Sequence, residues 1–457
     1  MQSSSAPATV GPTFVHSSRE ADVRRLVRKL DDGLAFDARR ELAPHVHWRA
    51  QDETPIHRWY RYREGFSPGL IEALGLTGDL LDPFCGCGSI MVGAAQRRQR
   101  AVGIDVNPLA VFVARVKLHP LSPLELAGAC EFAKSFPTSL AAVEQAEVPG
   151  LGIANKVFEP EIMETLLTIR ALIARVPPDR TREFLLLGWL SIFESVGSYF
   201  KEGNGIKYRN KKRLKTGYVR RKEGEWQRER FGLDQTAFVI RAYASQLETM
   251  IRDEASRPAG QWDEQEIIEA SALNLNGILD TRQFESVVFS PPYANRFDYF
   301  ESMKVELWFG GFVQTYQDML HLRKSSLRSH LGADLKQDFQ ETPGLEPLID
   351  LMDPDASSSR MGVPDALRGY FDDMRQVLEL IHQSLADGGR CCVVVGNSAY
   401  AGVIIPTDAL LARLGLACGY RRARLLHVRH LTVAPQQRKV LDRLQRYMRE
   451  TVVVLEK

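Results

Sequence analysis

One short run constrains the fold of this chain more than any other: Asp82-Pro83-Phe84-Cys85-Gly86-Cys87-Gly88-Ser89, in which two glycines follow an apolar stretch. That stretch, residues 79–84, predicts a strand, and residues 90–99 predict a helix. A second strand is predicted over 101–105. Asn107-Pro108 then suits a helix start, because a proline at the first helical position loses no hydrogen bond. This order of strand, glycine turn, helix, strand and helix predicts an α/β fold with a doubly wound, mainly parallel sheet.

The same run indicates what this part of the sheet binds. Glycines at positions 86 and 88 let backbone N–H groups approach a ligand closely, and the helix that follows points its positive end at the same place. Asp105 ends the next strand, 17 residues after Gly88. A carboxylate at that position can accept both ribose hydroxyls of a nucleoside cofactor. Two glycines alone would also fit an ordinary left-handed turn, and the strand that ends in Asp105 favours the cofactor site.

A second motif, Ser290-Pro291-Pro292-Tyr293, follows an apolar strand predicted over 286–290. It therefore lies at the carboxyl edge of the sheet, where open α/β sheets bind their ligands. Both prolines lack an N–H donor, which leaves the Ser290 hydroxyl and the carbonyls of Ser290 and Pro291 as acceptors beside the flat ring of Tyr293. This cluster suits a planar group that carries an amino group. A proline-stiffened turn with a core tyrosine is the structural alternative.

The α/β pattern is interrupted between the two motifs. Residues 119–262 have a mostly helical pattern, and a segment of that length is far longer than an ordinary loop. The α/β pattern returns afterwards, with strands near 391–395, 424–429 and 451–455 and helices over 371–385 and 407–416. We therefore predict a flexible N-terminal tail and lead-in over 1–40, a catalytic domain over 41–118 and 263–457, and a helical insertion over 119–262.

A basic segment lies inside the predicted insertion. Residues 207–222 contain nine Lys and Arg and no acid, whereas the whole chain has a net charge of +2. Such a local concentration of charge favours contact with nucleic-acid phosphates, and a solvated charged loop is the alternative. The candidate DNA-binding residues are Lys207, Arg209, Lys211, Lys212, Arg213, Lys215, Arg220 and Arg221.

Composition excludes several other classes of protein. Apolar residues make up 44% and charged residues 25%, which is ordinary for a globular chain. The six cysteines form no CxxC pair and no zinc-type spacing with histidine, so no disulfide scaffold and no metal are predicted. The N-terminus lacks a signal-peptide pattern, and the apolar stretch 184–193 is too short for a bilayer, which needs about 20 residues. We expect a protein of the bacterial or archaeal cytoplasm, without a membrane partner.

Together, these motifs resemble those of the S-adenosylmethionine-dependent amino-methyltransferases that modify exocyclic nitrogens of DNA bases. Segments 57–68, 385–398 and 448–455 are similar to three further stretches of that family. The resemblance covers 41–118 and 263–457, and it implies a Rossmann-like methyltransferase sheet interrupted by a large, mainly helical insertion, the candidate target-recognition region. The residues that it implies for S-adenosyl-L-methionine are Phe66, Ser67, Asp82, Pro83, Phe84, Gly86, Gly88, Asp105, Asn107 and Ser271. Those that it implies for catalysis are Ser290, Pro291, Pro292 and Tyr293.

The chain departs from the family's pattern in one place. The family usually carries an acid on the strand before the catalytic one, near the cofactor adenine. In this chain the segment 267–273 offers Ser271, or Glu269 out of register. Ser271 is therefore assigned to the adenine by its position in the chain.

Ser290, the first residue of the second motif, indicates which base is methylated. In the family that this chain resembles, serine there goes more often with N4-methylation of cytosine, and Asp or Asn with N6-methylation of adenine. Methylation of carbon 5 of cytosine is not expected, because its family uses a Pro-Cys dipeptide that this chain lacks. We expect transfer of a methyl group to N4 of a flipped-out cytosine in double-stranded DNA, with a cognate restriction endonuclease as a candidate partner. The alternatives are N6 of adenine, then an RNA base or a protein amide, then an inactive DNA-binding subunit.

Overall fold

The computed structural model describes residues 12–46, 54–62, 65–177, 179–203, 205–209, 211–214, 217–220, 223–433, 438 and 440–457. Its helices are α1 (Pro12–Asp31), α2 (Leu70–Ala73), α3 (Ser89–Gln96), α4 (Pro108–Leu118), α5 (Pro123–Ser139), α6 (Ala154–Val157), α7 (Pro160–Arg175), α8 (Arg180–Ser191), α9 (Phe193–Val196), α10 (Glu223–Phe231), α11 (Gln235–Ala255), α12 (Asn276–Leu279), α13 (Tyr299–Phe309), α14 (Tyr316–Ser325), α15 (Glu346–Ile349), α16 (Ser357–Arg360), α17 (Val363–Ser384) and α18 (Thr407–Ala417).

Its strands are β1 (Ala35–Ala38), β2 (Leu80–Asp82), β3 (Ala101–Asp105), β4 (Tyr199–Lys201), β5 (Ile206–Tyr208), β6 (Lys211–Leu214), β7 (Gly217–Arg220), β8 (Gln265–Glu269), β9 (Phe284–Phe289), β10 (Leu385–Gly396), β11 (Ser398–Tyr400), β12 (Val403–Ile405), β13 (Arg422–His430) and β14 (Arg449–Glu456). Single 3₁₀ segments lie at Arg40–Leu42, His57–Trp59, Leu140–Ala142, Ala272–Asn274 and Asp442–Tyr447. The described chain divides into two compact units.

The first unit, residues 42–290 and 297–326, contains four parallel strands in the order β9, β2, β3, β8. Leu81, Ile104, Val287 and Val288 are fully buried in these strands, as expected of a parallel sheet covered on both faces. Because all four strands run in the same direction, the turns after β2, β3, β8 and β9 meet at one edge of the sheet. Both motifs follow these carboxyl ends, as the sequence predicts.

The second unit comprises the described parts of residues 1–41, 291–296 and 327–457. Its strands lie in the order β1, β13, β14, β10; β1 is parallel to β13, and the other two pairs are antiparallel. The buried residues of α17, which include Phe371, Met374, Leu378 and Ile381, recur at helical spacing and cover this sheet. The helix ends at Ser384, and the strand β10 begins at Leu385.

The insertion is mainly helical, as predicted, but its basic segment is not. Helices α5, α7, α8 and α11 pack against one another. The described residues between 199 and 220 instead contain two antiparallel strand pairs, β4 with β5 and β6 with β7. No sequence pattern predicts β6 and β7, because their residues do not alternate between polar and apolar and lysine has a low intrinsic preference for strands.

The N-terminal region also differs from the expectation. Within the region 1–40, for which a flexible tail and lead-in are predicted, the helix α1 occupies Pro12–Asp31, so a flexible chain is the wrong prediction there. Val23 and Val27 of this helix are fully buried, because residues four apart face the same side of a helix. Among the described helices, none is long and apolar enough to cross a membrane. The α/β class and the helical insertion are confirmed.

Candidate cofactor site and active site

The glycine turn after β2 is tied to the end of β3 by one carboxylate. Asp105 Oδ2 accepts a hydrogen bond from the Gly86 N–H at 2.8 Å, and Asp105 Oδ1 accepts one from the Asn107 N–H at 2.8 Å. Gly86 and Gly88 have φ angles of 50° and 80°, the left-handed region that glycine adopts without strain. The Asn107 side chain then accepts from the Leu109 N–H at 3.1 Å and caps α4. Two neighbouring βα turns are therefore fixed by Asp105.

Burial sets the charge of this carboxylate. It raises the pKa of Asp105 to about 6, against the lowering effect of the N–H groups of Asn107 and Gly86. Glu269, which is opposite Asp105 in the β3–β8 register, also raises it. Oδ2 accepts from Gly86 and Oδ1 accepts from Asn107, whereas the two oxygens together offer about four lone pairs. The residue therefore has acceptor capacity for the vicinal hydroxyls of a ribose, which is the fit that a nucleoside cofactor requires.

Asp82 has a different role at the same turn. Its side chain is almost fully buried, and Oδ1 accepts from the Phe84 N–H at 3.0 Å, across Pro83. Burial raises the pKa of Asp82 well above its usual value, and the charge of Asp105 adds to the rise. The Phe84 ring lies 5.4 Å from the ring of Phe289, the last residue of β9. The run thus connects the glycine turn with the strand that leads to Ser290.

A buried lysine that the sequence analysis did not single out contacts the backbone of the glycine turn. Lys117, in the last turn of α4, is fully buried, and its Nζ donates to the Cys87 carbonyl at 3.3 Å. Burial lowers its pKa. His57 is buried beside the same turn, with Nε2 3.5 Å from the Ser89 hydroxyl. The signal in the sequence is a lysine between Val116 and Leu118, in the helix predicted to start at Asn107-Pro108.

The segment that contains Phe66 and Ser67 lies against the helix after the turn. Phe66 is buried, and the Ser67 hydroxyl accepts from the Gly69 N–H at 3.2 Å, so it caps a local turn. Pro68 directly contacts α3, because a Cβ added at Gly93 would lie 2.4 Å from its carbonyl oxygen. The structure thus places this segment against the helix that follows the glycine turn. Ser271 follows β8 and caps the 3₁₀ segment Ala272–Asn274, two residues after Glu269.

The segment that begins with Ser290 crosses the boundary between the units. Ser290 follows β9 in the first unit, and residues 291–296 belong to the second. In the second unit, the Tyr293 hydroxyl donates to Glu450 Oε1 at 3.2 Å, and Arg429 Nε donates to Glu450 Oε2 at 2.5 Å. A Cβ added at Gly396 would lie 2.9 Å from Tyr293 Cε2, so the ring packs directly on the backbone there.

Residues 294–296, which follow Tyr293, are also held by contacts within the second unit. The Tyr400 hydroxyl donates to the Ala294 carbonyl at 2.7 Å. Arg296 has a φ of 64°, which is strained for a residue with a side chain, and its guanidinium lies 5.7 Å from the centroid of the Tyr400 ring. Strained non-glycine residues concentrate at functional sites. Of these positioning residues, sequence reasoning placed Glu450 and Gly396 only within similar segments, without a role.

Those of the predicted DNA-binding residues that the structure describes lie in or directly beside the two hairpins. Lys207 forms an ion pair with Glu202 at 2.7 Å, with about half of each side chain exposed. Arg209 Nε instead donates to the Tyr199 carbonyl at 2.7 Å, so this guanidinium also has a structural role. Four further residues belong to the register of β6 with β7: Lys211, Lys212, Arg213 and Arg220. Lys215 and Arg221 lie outside the described residues.

Comparison with known proteins adds to this geometry. No family model matches the chain. The Type II methyltransferase M.BsoBI of Geobacillus stearothermophilus is 25% identical over 426 residues, which cover 83% of this chain and 81% of that protein. The Type II methyltransferases M.AvaI of Nostoc sp. strain PCC 7120 and of Anabaena variabilis are 22% identical over 412 residues, which cover 83% of this chain and 82% of theirs.

Among solved structures, the rRNA methyltransferase aviRa from Streptomyces viridochromogenes has 11% identity and a TM-score of 0.25, a weak likeness, over 88% of this chain and 85% of its own. Within the described residues, no group of three His, Cys, Asp or Glu side chains is placed to hold a metal ion. Over most of its length, the chain is thus similar to methyltransferases of the Type II class.

Proposed function

We propose that this chain is an S-adenosylmethionine-dependent DNA methyltransferase that acts on N4 of cytosine. The observation that carries the proposal is the Asp105 carboxylate, which fixes the Gly86 turn and the start of α4 at the carboxyl edge of a parallel sheet. The similarity to Type II methyltransferases over 83% of the chain supports it. A cognate restriction endonuclease is a proposed partner on the same grounds.

The residues around Gly86 fit the proposed cofactor. When bound, S-adenosylmethionine supplies an electrophilic methyl group on a positively charged sulfur. Asp105 would accept the ribose hydroxyls, and the backbone of the glycine turn would follow the methionine portion. Ser271, which comes after the strand next to β3, is proposed to contact the adenine.

The target base must leave the duplex before it can react. Flipping a base out costs a few kcal/mol of stacking, which contacts in the active site must offset. We propose that the ring of Tyr293 stacks on the flipped base. The packing on Gly396 and the hydrogen bond to Glu450 would hold that ring at a fixed angle. A ring held in this way loses little freedom when the base arrives.

The amino group of the base is a weak nucleophile, because its lone pair is delocalised into the ring. The Ser290 hydroxyl and the Pro291 carbonyl would accept its hydrogens and stabilise the positive charge that develops on the nitrogen. Pro292 would keep the segment rigid. The amine proton is acidic after methyl transfer, so no dedicated base is required. Alignment of the amine with the methyl group would supply much of the rate.

Ser290 is the residue that favours cytosine over adenine, since it is a shorter and neutral acceptor compared with Asp. N6 of adenine is the second candidate. The basic hairpins favour a nucleic acid over a protein amide as substrate, because Lys211, Lys212 and Arg213 follow one another on β6.

Mass spectrometry of nucleosides would test the function. DNA would be incubated with the enzyme and S-adenosylmethionine that carries an isotope-labelled methyl group, and the digest would be searched for labelled N4-methylcytosine. Label in N6-methyladenine would establish the second candidate. Label only in RNA or protein, or no label, would refute the proposal.

A further inference from the structure

Arg296 lies three residues after Tyr293, in a backbone conformation that disfavours any residue with a side chain. Its φ of 64° falls in the left-handed region. Glycine would adopt this conformation without strain, and asparagine would adopt it more easily than arginine does. The chain therefore has an arginine at a position where its backbone is strained, and the proposed mechanism assigns no role to this side chain.

Tyr400 holds both the loop and the side chain of Arg296 within the second unit. The Tyr400 hydroxyl donates to the Ala294 carbonyl at 2.7 Å, which fixes the backbone two residues before Arg296. The guanidinium lies 5.7 Å from the centroid of the Tyr400 ring, within the range of a cation–π contact. Burial raises the pKa of Tyr400, and the charge of Arg296 opposes that rise. The guanidinium therefore has a defined place on a buried ring.

The charge of Arg296 has no counter-charge in the described part of the chain. Its guanidinium makes no ion pair and no hydrogen bond with a described residue, and its Nε is buried without a partner. The residue as a whole is only half-buried, so part of the side chain is open to a ligand. Glu450, the acid that holds Tyr293, is buried and already paired with Arg429. Because arginine stays protonated and only donates hydrogen bonds, its ligand should be an anion.

A flipped nucleotide would bring such an anion to this loop. Three residues of chain span at most about 10–11 Å, so Arg296 is close to the base that we propose to stack on Tyr293. That nucleotide has a phosphate on each side of its sugar, whatever the neighbouring sequence. A guanidinium presents a planar fork of N–H donors that matches two phosphate oxygens. A phosphate therefore fits both the charge and the position of Arg296.

We propose that Arg296 binds a backbone phosphate directly beside the flipped nucleotide, through the terminal nitrogens of its guanidinium. The contact helps to hold the nucleotide outside the duplex while its base stacks on Tyr293. Arg296 is thus a substrate-binding residue, separate from the basic strand β6. This inference rests on the proposed function as a DNA methyltransferase.

The first test uses the parent enzyme and DNA in which one phosphate at a time is neutral. Once the methylated base is mapped, duplexes would be made with a single methylphosphonate linkage at successive positions around it, and fluorescence anisotropy would give their affinities. We expect a linkage next to the methylated nucleotide at which this change weakens binding by about 10- to 150-fold, the range of a hydrogen bond to a charged group. No effect at either flanking linkage would overturn the inference even if DNA is methylated. A parent that methylates no DNA would refute the proposed function and this inference together.

The second test asks whether Arg296 makes that contact. R296N removes the charge, and asparagine tolerates the left-handed conformation, so the variant should keep the parent's melting temperature. We expect it to bind unmodified DNA about 10- to 150-fold more weakly than the parent does. The neutral linkage should then cost it no further affinity, since two changes that remove one contact are not additive. Its affinity for S-adenosylmethionine should equal the parent's.

A neutral linkage that weakens R296N as much as it weakens the parent would show that another residue holds that phosphate. If R296N does not fold, R296G serves in its place, because glycine adopts this φ without strain. The matched control is R421N: Arg421 is exposed and directly precedes β13, at the opposite end of that strand from Arg429. R421N removes the same charge and should respond to the neutral linkage like the parent.

Discussion

The hydroxyl of Tyr293 donates to Glu450 Oε1 at 3.2 Å, across 157 residues of sequence. Glu450 is paired in register with Gly396 on one side and with Arg429 on the other. Arg429 fixes the second carboxylate oxygen, and Gly396 leaves room for the ring. Gly396, Glu450 and Arg429, which are neighbours across β10, β14 and β13, therefore fix the position of Tyr293. We propose that this tyrosine stacks on the target base.

We expect the variant G396A to slow methyl transfer without removing any group of Tyr293. The added Cβ would lie 2.9 Å from Cε2, so the ring would have to move. Y293F should cost less, about 0.5–1.5 kcal/mol, because it removes only one hydrogen bond. Y293A should weaken binding of the flipped base by about 1–3 kcal/mol. Single-turnover rates with saturating DNA would measure each effect. Normal rates in both G396A and Y293A would show that the ring does not stack on the base.

Asp105 should control cofactor binding and its pH dependence. D105A should lose about 1.5–3 kcal/mol of affinity for S-adenosylmethionine, because a charged acceptor is removed. The pKa of Asp105 is raised to about 6, so the ionised form that accepts both hydroxyls is lost as pH falls through that value. Affinity in the parent should therefore decrease below about pH 6.

Isothermal titration calorimetry across that range would measure this decrease. The control is D105N, which keeps the size of the side chain but cannot ionise, so its weaker affinity should not show the step at this pH. A parent affinity that is independent of pH would argue against a contact between Asp105 and the cofactor.

Parts of the site could be predicted where residues close together in the sequence form a recognisable pattern. The strand Ala101–Asp105 was predicted with its observed bounds, because an apolar run, an acid and an Asn-Pro helix start follow one another. The supporting residues were not predictable in the same way. Lys117 contacts Cys87 from 30 residues away, and Glu450 contacts Tyr293 from the last strand. Such pairs arise from tertiary packing, and no local pattern records them.

The N-terminal helix and the basic hairpins show two different reasons why secondary structure was not predicted from the sequence. The prediction of a flexible tail and lead-in over 1–40 overlooks the helical spacing of Val23 and Val27, which are both buried in α1. The strands β6 and β7 have no apolar alternation to reveal them. Their pairing is visible only in the structure.

The basic strand β6 should contribute to DNA affinity through phosphates. Replacing Lys211, Lys212 and Arg213 by Ala should weaken binding and reduce the slope of log affinity against log salt by about one unit for each phosphate that the variant no longer binds. The matched control is R97A/R98A/R100A, which removes the same charge near the amino end of β3, at the opposite edge of the sheet from the motifs. Fluorescence anisotropy at several salt concentrations would measure both slopes. Equal slopes in the two triple variants would show that β6 binds no phosphate.

Ser290 should determine both the rate and the identity of the product. We expect N4-methylcytosine from the parent, because a serine hydroxyl is a short neutral acceptor for an amine on a small pyrimidine ring. S290A removes that acceptor and should lower the methyl-transfer rate by about 10²–10³, as expected when one preorganised polar group is taken from an active site. Cofactor affinity should stay unchanged, since the glycine turn and Asp105 are intact in this variant. Labelled nucleosides from parent and S290A digests, quantified by mass spectrometry at several times, would give both results. A parent that labels only adenine, or an S290A variant that transfers methyl groups at the parent's rate, would show that Ser290 does not grip a cytosine amine.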